Sequence, residues 1–175
     1  MNTNRKQSIS KQAQTLLQRN EVAGPPVPVE RVVRSLGARL RYSPLDDELS
    51  GMIYVNKGMP IIGVNALHHP NRQRFTIAHE CGHLILHKKQ ITKEVHVDKA
   101  FPMLMRDLVS AAGIDDMEIE ANFFASELLM PQSMLANALG NAPFDIDDDS
   151  TVSALARNFK VSQSAMRFRL GNLFA

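Results

Sequence analysis

Residues 75–87 read FTIAHECGHLILH, which spaces His79, His83 and His87 four apart and puts Glu80 directly after the first. On an α-helix, positions i and i+4 differ by ~40° around the axis and ~6 Å along it, so two such imidazoles can aim at one cation. Glu80 leaves the same helix one residue later and can reach a water on that cation. Neutral imidazole and carboxylate both suit zinc, and a catalytic zinc keeps one position open for water. The chemistry offered is metal-assisted hydrolysis. The competing reading is a pair of histidines that only pack.

The spacing also sorts the histidines. His79 and His87 would lie ~12 Å apart along a straight helix, too far for one ion that binds nitrogen at ~2.0–2.1 Å. A third histidine six residues after the second is absent, because position 89 is Lys89. His87 is therefore expected to end the helix and interact with its last carbonyls.

A third ligand must come from elsewhere, and the acid-rich segment DDMEIEANFF is the natural source. Asp115, Asp116, Glu118, Glu120 and, further on, Glu127 are the candidates. Glu118 and Asn122 are four apart and share one helix face. A carboxylate there can bind the metal while the amide one turn later supports a ligand histidine. Glu118 is the choice and Glu120 the alternative, while the helix dipole accounts for Asp115 and Asp116. An apolar stripe through Ile119, Phe123 and Leu128 is expected to face the core.

These groups need a scaffold, and the pattern supplies one. A helix is predicted over residues 6–20, ended by the prolines of AGPPVPVE, and a second from Pro28 to Leu36 before Gly37. Three strand-like runs follow, ARLRYSP, LSGMIYVN and MPIIGVN, the last two joined by a hairpin turn at Asn56–Gly58. After the HHPN loop, with a cap at or beside Asn71, the histidine-bearing helix runs from Arg72 to about His87. Residues 88–97 are mixed, and Phe101 to Ala112 reads as a short helix. The acid-rich helix starts at Asp115 and stops before Pro131. After a short helix at 132–140 and a loop at 141–149, the tail reads as two helices around a turn at Lys160–Ser162.

Composition bounds the rest. The chain has 175 residues, 44% hydrophobic and 22% charged, enough for a real core, and its net charge of +2 is too small to argue for nucleic acid. Charge is unevenly placed: residues 115–149 hold nine acids and no Lys or Arg, and the last nineteen hold four basic residues and no acid. One cysteine, Cys81, excludes an internal disulfide and a thiolate-based zinc site. No apolar run approaches the ~18 residues that span a membrane, and the N-terminal stretch lacks the apolar core of a secretory signal. A soluble, cytoplasmic protein without a membrane partner is expected.

The segment NRQRFTIAHECGHLILH, followed by E-x-x-A-N-x-F-A-x-x-L-L-M-P from Glu118 to Pro131, resembles the ImmA/IrrE family of metallo-endopeptidases over roughly residues 28–170. The resemblance implies a zincin-like α+β fold, mostly helical, with a small three-stranded sheet beside the active-site helix. It implies His79, His83 and Glu118 as metal ligands and Glu80 as catalytic base, with zinc as cofactor and manganese the alternative. Residues 1–150 would form the metallopeptidase domain with its N-terminal helices, and 151–175 a C-terminal helix-turn-helix-like segment packed on it. The implied partner is a protein substrate, a helix-turn-helix transcriptional repressor encoded nearby. Two features depart from the pattern: Cys81 stands where a larger apolar residue is expected, and 34 residues separate His83 from Glu118.

Several questions stay open at this level. His68, His69, His96, Tyr42 and Tyr54 are candidates for stabilising an oxyanion, and nothing chooses among them. Cys81 reads as a small core residue, against a redox-sensitive thiol. The tail's Arg167 and Arg169 raise a rival function in the major groove of DNA. Modest charge disfavours direct DNA binding, and packing through Leu155, Phe159, Val161, Met166 and Leu170 is the simpler expectation. A further alternative is a regulatory or antitoxin-like protein that holds a metal but acts by binding.

Overall fold

The computed structural model describes residues 1–91, 116–140 and 148–174, together with the backbone of 96–99. Helix α1 (Thr3–Arg19) starts at Asn2, whose side chain accepts from the Arg5 backbone N–H, and buries Ile9, Ala13, Leu16 and Leu17. That is one face at helical spacing. Helix α2 (Val29–Ser35) buries Val29, Val32 and Val33 and stops before Gly37, whose φ of 79° an L side chain rarely adopts.

Strands β1 (Arg39–Ser43), β2 (Leu49–Asn56) and β3 (Met59–Asn65) follow. The β2–β3 hairpin turns on Lys57 and Gly58, both at positive φ (49° and 80°), as a tight two-residue turn requires. β1 pairs parallel to β3, so the sheet is mixed. A fourth short strand, β4 (His96–Lys99), pairs antiparallel to β2 and extends the three expected strands to the order β1-β3-β2-β4. The α+β, mostly helical class expected from the sequence is what the molecule shows.

Helix α3 (Pro70–Leu86) starts two residues before its expected start: His69 is the cap, its Nδ1 accepting from the Asn71 N–H at 3.2 Å. Proline at the first helical position loses nothing there, because that N–H has no partner in the helix. Thr76 through Leu84 are all buried. Sheet strands β2 and β3 contact this helix, and so does the later helix α5 (Asp116–Leu129), against which α1 also packs. A helix enclosed on several sides has no polar face to spare, so its buried histidines and glutamate call for a chemical explanation.

A short helix α4 (Lys88–Ile91) follows α3 in the stretch that the pattern left mixed. The helix expected over residues 101–112 lies outside the described residues, as does most of the loop at 141–149. α5 buries Ala121, Phe124, Ala125, Leu128 and Leu129, while Ile119 and Phe123 are only half-buried. The expected stripe holds at Leu128 and is corrected at Ile119 and Phe123: Ala121 and Phe124 are what α5 turns to Gly82 of α3. A Cβ on Gly82 would lie 3.1 Å from both Cα and O of Ala121.

Helices α6 (Gln132–Leu139), α7 (Asp149–Phe159) and α8 (Gln163–Phe174) complete the chain. Asp148 caps α7, accepting from the Ser150 N–H at 2.9 Å, and Lys160 ends it in the left-handed region. Leu155, Phe159, Val161, Met166 and Leu170 are all buried in the common core, as their pattern required. Asn71 Nδ2 donates to the Val161 carbonyl and Arg74 Nε to that of Lys160, which ties the α7–α8 turn to α3. Among the described residues no helix is long and apolar enough to cross a membrane.

Candidate metal centre

His79 and His83 sit one turn apart on α3, both almost fully buried, with their Nε2 atoms 3.0 Å apart. The Glu118 carboxylate, in the first turn of α5, reaches between them: Oε2 lies 3.3 Å from His79 Nε2 and Oε1 3.1 Å from His83 Nε2. One ligand atom from each of the three residues lies within 4.8 Å of the others. Donors held ~2.0–2.1 Å from one cation at tetrahedral angles stand about 3.3 Å apart. The observed separations match that edge, and two imidazoles with one carboxylate are a donor set that zinc accepts, so the residues fit a divalent metal.

Each histidine is also held from behind. The His79 Nδ1–H donates to Asn122 Oδ1 at 3.1 Å, which turns Nε2 toward the shared point. Asn122 thus holds the His79 ring from one turn beyond Glu118. His83 Nδ1 lies 3.2 Å from Nδ1 of His87, and His87 Nε2 lies 3.0 Å from Glu120 Oε2. Glu120 is gripped in turn by Arg5, Nε to Oε1 at 2.6 Å and Nη2 to Oε2 at 2.5 Å. The Arg5 guanidinium, with help from His87, holds the Glu120 carboxyl down at about 2, against the opposing effect of partial burial. The same pairing raises Arg5.

Two expectations change here. Glu120, the alternative third ligand, is engaged by Arg5 and His87 instead. His87 does end α3, and its backbone N–H bonds the His83 carbonyl, but its ring is buried against His83 and not spent on the helix carbonyls. A carboxylate from another helix outbids a carbonyl for an imidazole N–H. The repeat at 79, 83 and 87 was visible in the sequence, whereas Arg5 gave no sign, standing 115 positions from its partner.

Glu80 is fully buried where α3 meets β2. A Cβ added to Gly51 would lie 3.7 Å from Glu80 Oε1 and only 2.4 Å from Thr76 Cγ2. Gly51 therefore lets the strand lie against the helix beside this carboxylate. Cys81 is fully buried, and burial pushes its thiol up to about 12. It fills core space as a neutral thiol, which argues against the redox reading.

Of the oxyanion candidates, His69 is spent capping α3. His68 Nε2 lies 3.4 Å from Asn65 Nδ2, Tyr42 is exposed on β1, and Tyr54 is half-buried on β2. The His96 side chain lies outside the described residues. In the tail, Arg169 is buried, donating to the Met130 carbonyl at 3.0 Å and to Glu127 Oε1 at 2.5 Å, while Arg167 pairs with Asp149.

A helix carrying His-Glu-x-x-His, a glutamate from a second helix and a small mixed sheet together define the zincin-like class of metallopeptidase. The model of the peptidase family described by the IrrE N-terminal-like domain matches residues 33–171, and the chain belongs to that family. The Metallopeptidase ImmA of Bacillus subtilis (strain 168) is 34% identical over 96 residues, which is 52% of this chain and 50% of that protein. The chain thus spans about half the length of the curated relative it matches. A solved Mycobacterium tuberculosis transcriptional regulator is similar in fold, with a TM-score of 0.56 at 17% identity, covering 94% of this chain and 46% of that one.

Proposed function

We propose that the chain is a zinc-dependent endopeptidase in which His79, His83 and Glu118 hold the metal and Glu80 is the catalytic base. The observation that carries the proposal is the convergence of those three donors to within 4.8 Å, beside a fully buried glutamate from the same helix. A divalent cation held there supplies Lewis acidity toward a scissile carbonyl and a hydrolytic water. Glu80 takes the water's proton and hands it to the departing amine, a role that typically contributes ~10²–10⁴-fold. Asn122 keeps the His79 ring in the tautomer a cation needs. Enclosure of α3 between sheet and α5 fixes the donors before substrate arrives, so no reorganisation is needed at the moment of reaction.

Family membership supports a protein substrate. We propose that it is a helix-turn-helix repressor encoded nearby, that the protein acts in the cytoplasm, and that residues 1–150 form the peptidase domain with 151–175 packed on it. The commitment of Arg167 and Arg169 to Asp149 and Glu127 speaks against a groove-reading role for α8.

The test is incubation with the neighbouring repressor, wild type beside Glu80→Gln, with metal content measured on both. Cleavage by the wild type alone, at equal metal content, is the expected result. Equal cleavage by the two proteins would remove Glu80 from its role. If neither cleaves while both hold metal and bind the repressor, the chain acts by binding, as the regulatory alternative requires.

A further inference from the structure

The His83 ring has a support that the peptidase reading does not use. It runs from α3 to the N-terminal helix: His83 Nδ1 to His87 Nδ1 (3.2 Å), His87 Nε2 to Glu120 Oε2 (3.0 Å), and Glu120 to both ends of the Arg5 guanidinium. His79 has the Asn122 amide behind it, and His83 has a three-residue chain that crosses from α3 through α5 to α1. Arg5 lies outside the segment that the family model matches, residues 33–171.

The direction of each hydrogen bond follows from the fixed ends. Arg5 can only donate, so it requires an accepting carboxylate. That carboxylate can only accept from His87, so the His87 proton sits on Nε2. In neutral His87 the Nδ1 atom is then an acceptor. It must receive the Nδ1–H of His83, which leaves the His83 Nε2 lone pair pointed at His79 and Glu118. The direction of each bond is set by the next one in the chain.

We propose that His87, clamped by Glu120 and Arg5, is a positioning residue that sets the tautomer and angle of His83, so that metal affinity depends on the docking of helix α1. This rests on the reading of His79, His83 and Glu118 as metal ligands. Removing an outer partner of a ligand histidine typically costs about 10–100-fold in metal affinity. His87→Leu is expected to fall in that range, and His87→Gln, whose amide oxygen still accepts from His83, to recover most of it. Arg5→Met touches no ligand, yet should weaken zinc binding by less than His87→Leu does. In the His87→Leu background Arg5→Met should change nothing further, because both act along one chain.

The experiment is zinc competition against a chromophoric chelator on folded full-length protein, with His83→Ala as the control for the site. Wild-type zinc affinity in both His87→Leu and Arg5→Met, alongside loss in His83→Ala, overturns the proposal and leaves the metal site standing. No zinc binding by the wild type overturns both. Nitrogen NMR of the histidine rings in the zinc-loaded wild type gives an independent reading should His87→Leu fail to fold. A proton on His87 Nε2 and on His83 Nδ1 is expected, and a proton on His87 Nδ1 would overturn the proposal.

Discussion

Gly82, inside the His-Glu-x-x-His run, determines how close α5 comes to α3. An added Cβ would meet Ala121 Cα and O at 3.1 Å and Phe124 Cβ at 3.3 Å. Carbon contacts settle near 3.5–4.0 Å, so Gly82→Ala requires α5 to move away by about 0.5 Å. Two of the contacted atoms are backbone, so no rotamer change relieves them. Overpacking costs about 1–3 kcal/mol, and alanine recovers up to about 1 kcal/mol over glycine in a helix interior. The net loss of stability should be about 2 kcal/mol or less, and the protein should stay folded.

The proposed metal site has less tolerance. Glu118 stands three residues before Ala121 and moves with it, while His79 and His83 stay on α3. Metal–ligand distances hold within about 0.2 Å, so a shift of about 0.5 Å leaves the carboxylate out of reach without rearrangement. A loss of at least about tenfold in zinc affinity is expected for Gly82→Ala, with a melting temperature measured in chelator only slightly lowered. Gly82→Val should lose more of both. Wild-type zinc affinity in Gly82→Ala would refute the reasoning, because it would mean that the α3–α5 separation does not set the Glu118 position.

Three further outcomes follow from the packing. Gly51→Ala places its Cβ 2.8 Å from the Gly63 carbonyl as well as 2.4 Å from Thr76, so it should destabilise by at least about 1–3 kcal/mol in urea unfolding, and Thr76→Ala should rescue it only in part. Arg169→Ala takes the partner from Glu127, whose side chain is only 13% exposed, and should cost up to about 3 kcal/mol, whereas Arg167→Ala, in an exposed pair, should cost about 1 kcal/mol or less; equal costs by thermal unfolding would contradict the packing. Asp148 is held down to about 2 by hydrogen bonds from Thr151 and Ser150, against an ordinary 3.8. A depressed carboxylate stabilises the fold above its unfolded value and stops doing so as pH falls through its folded value. The stability advantage of wild type over Asp148→Ala should be constant above about pH 5 and shrink between 3.8 and about 2; an advantage unchanged over that interval would show that the cap does not act through its charge.

How much of this was legible in the sequence depended on the range of the interaction. β2, β3 and their hairpin were bounded correctly because alternation and turn chemistry are local. The His79–Glu80–His83 geometry and the Glu118–Asn122 face were legible because helical period alone brings those residues together. β4 was not, because its partner is β2, far away in sequence, and its own four residues carry no alternation strong enough to announce a strand. The role of His87 failed for a related reason: spacing could argue against it as a ligand but could not show that Glu120 and Arg5 would claim its ring. The α5 core face was read correctly at Leu128 and missed at Ile119 and Phe123, because the close crossing at Gly82 puts Ala121 and Phe124 against α3, and no local pattern announces that crossing.

The central claim is that two histidines and one glutamate, and no other side chain, hold the metal. X-ray absorption at the zinc edge on stoichiometrically loaded protein tests it most directly. The account predicts nitrogen and oxygen neighbours at about 2.0–2.1 Å, two imidazole rings, and no sulfur. A third imidazole, which would bring His87 to the ion, or a sulfur near about 2.3 Å, which would bring Cys81, would contradict it.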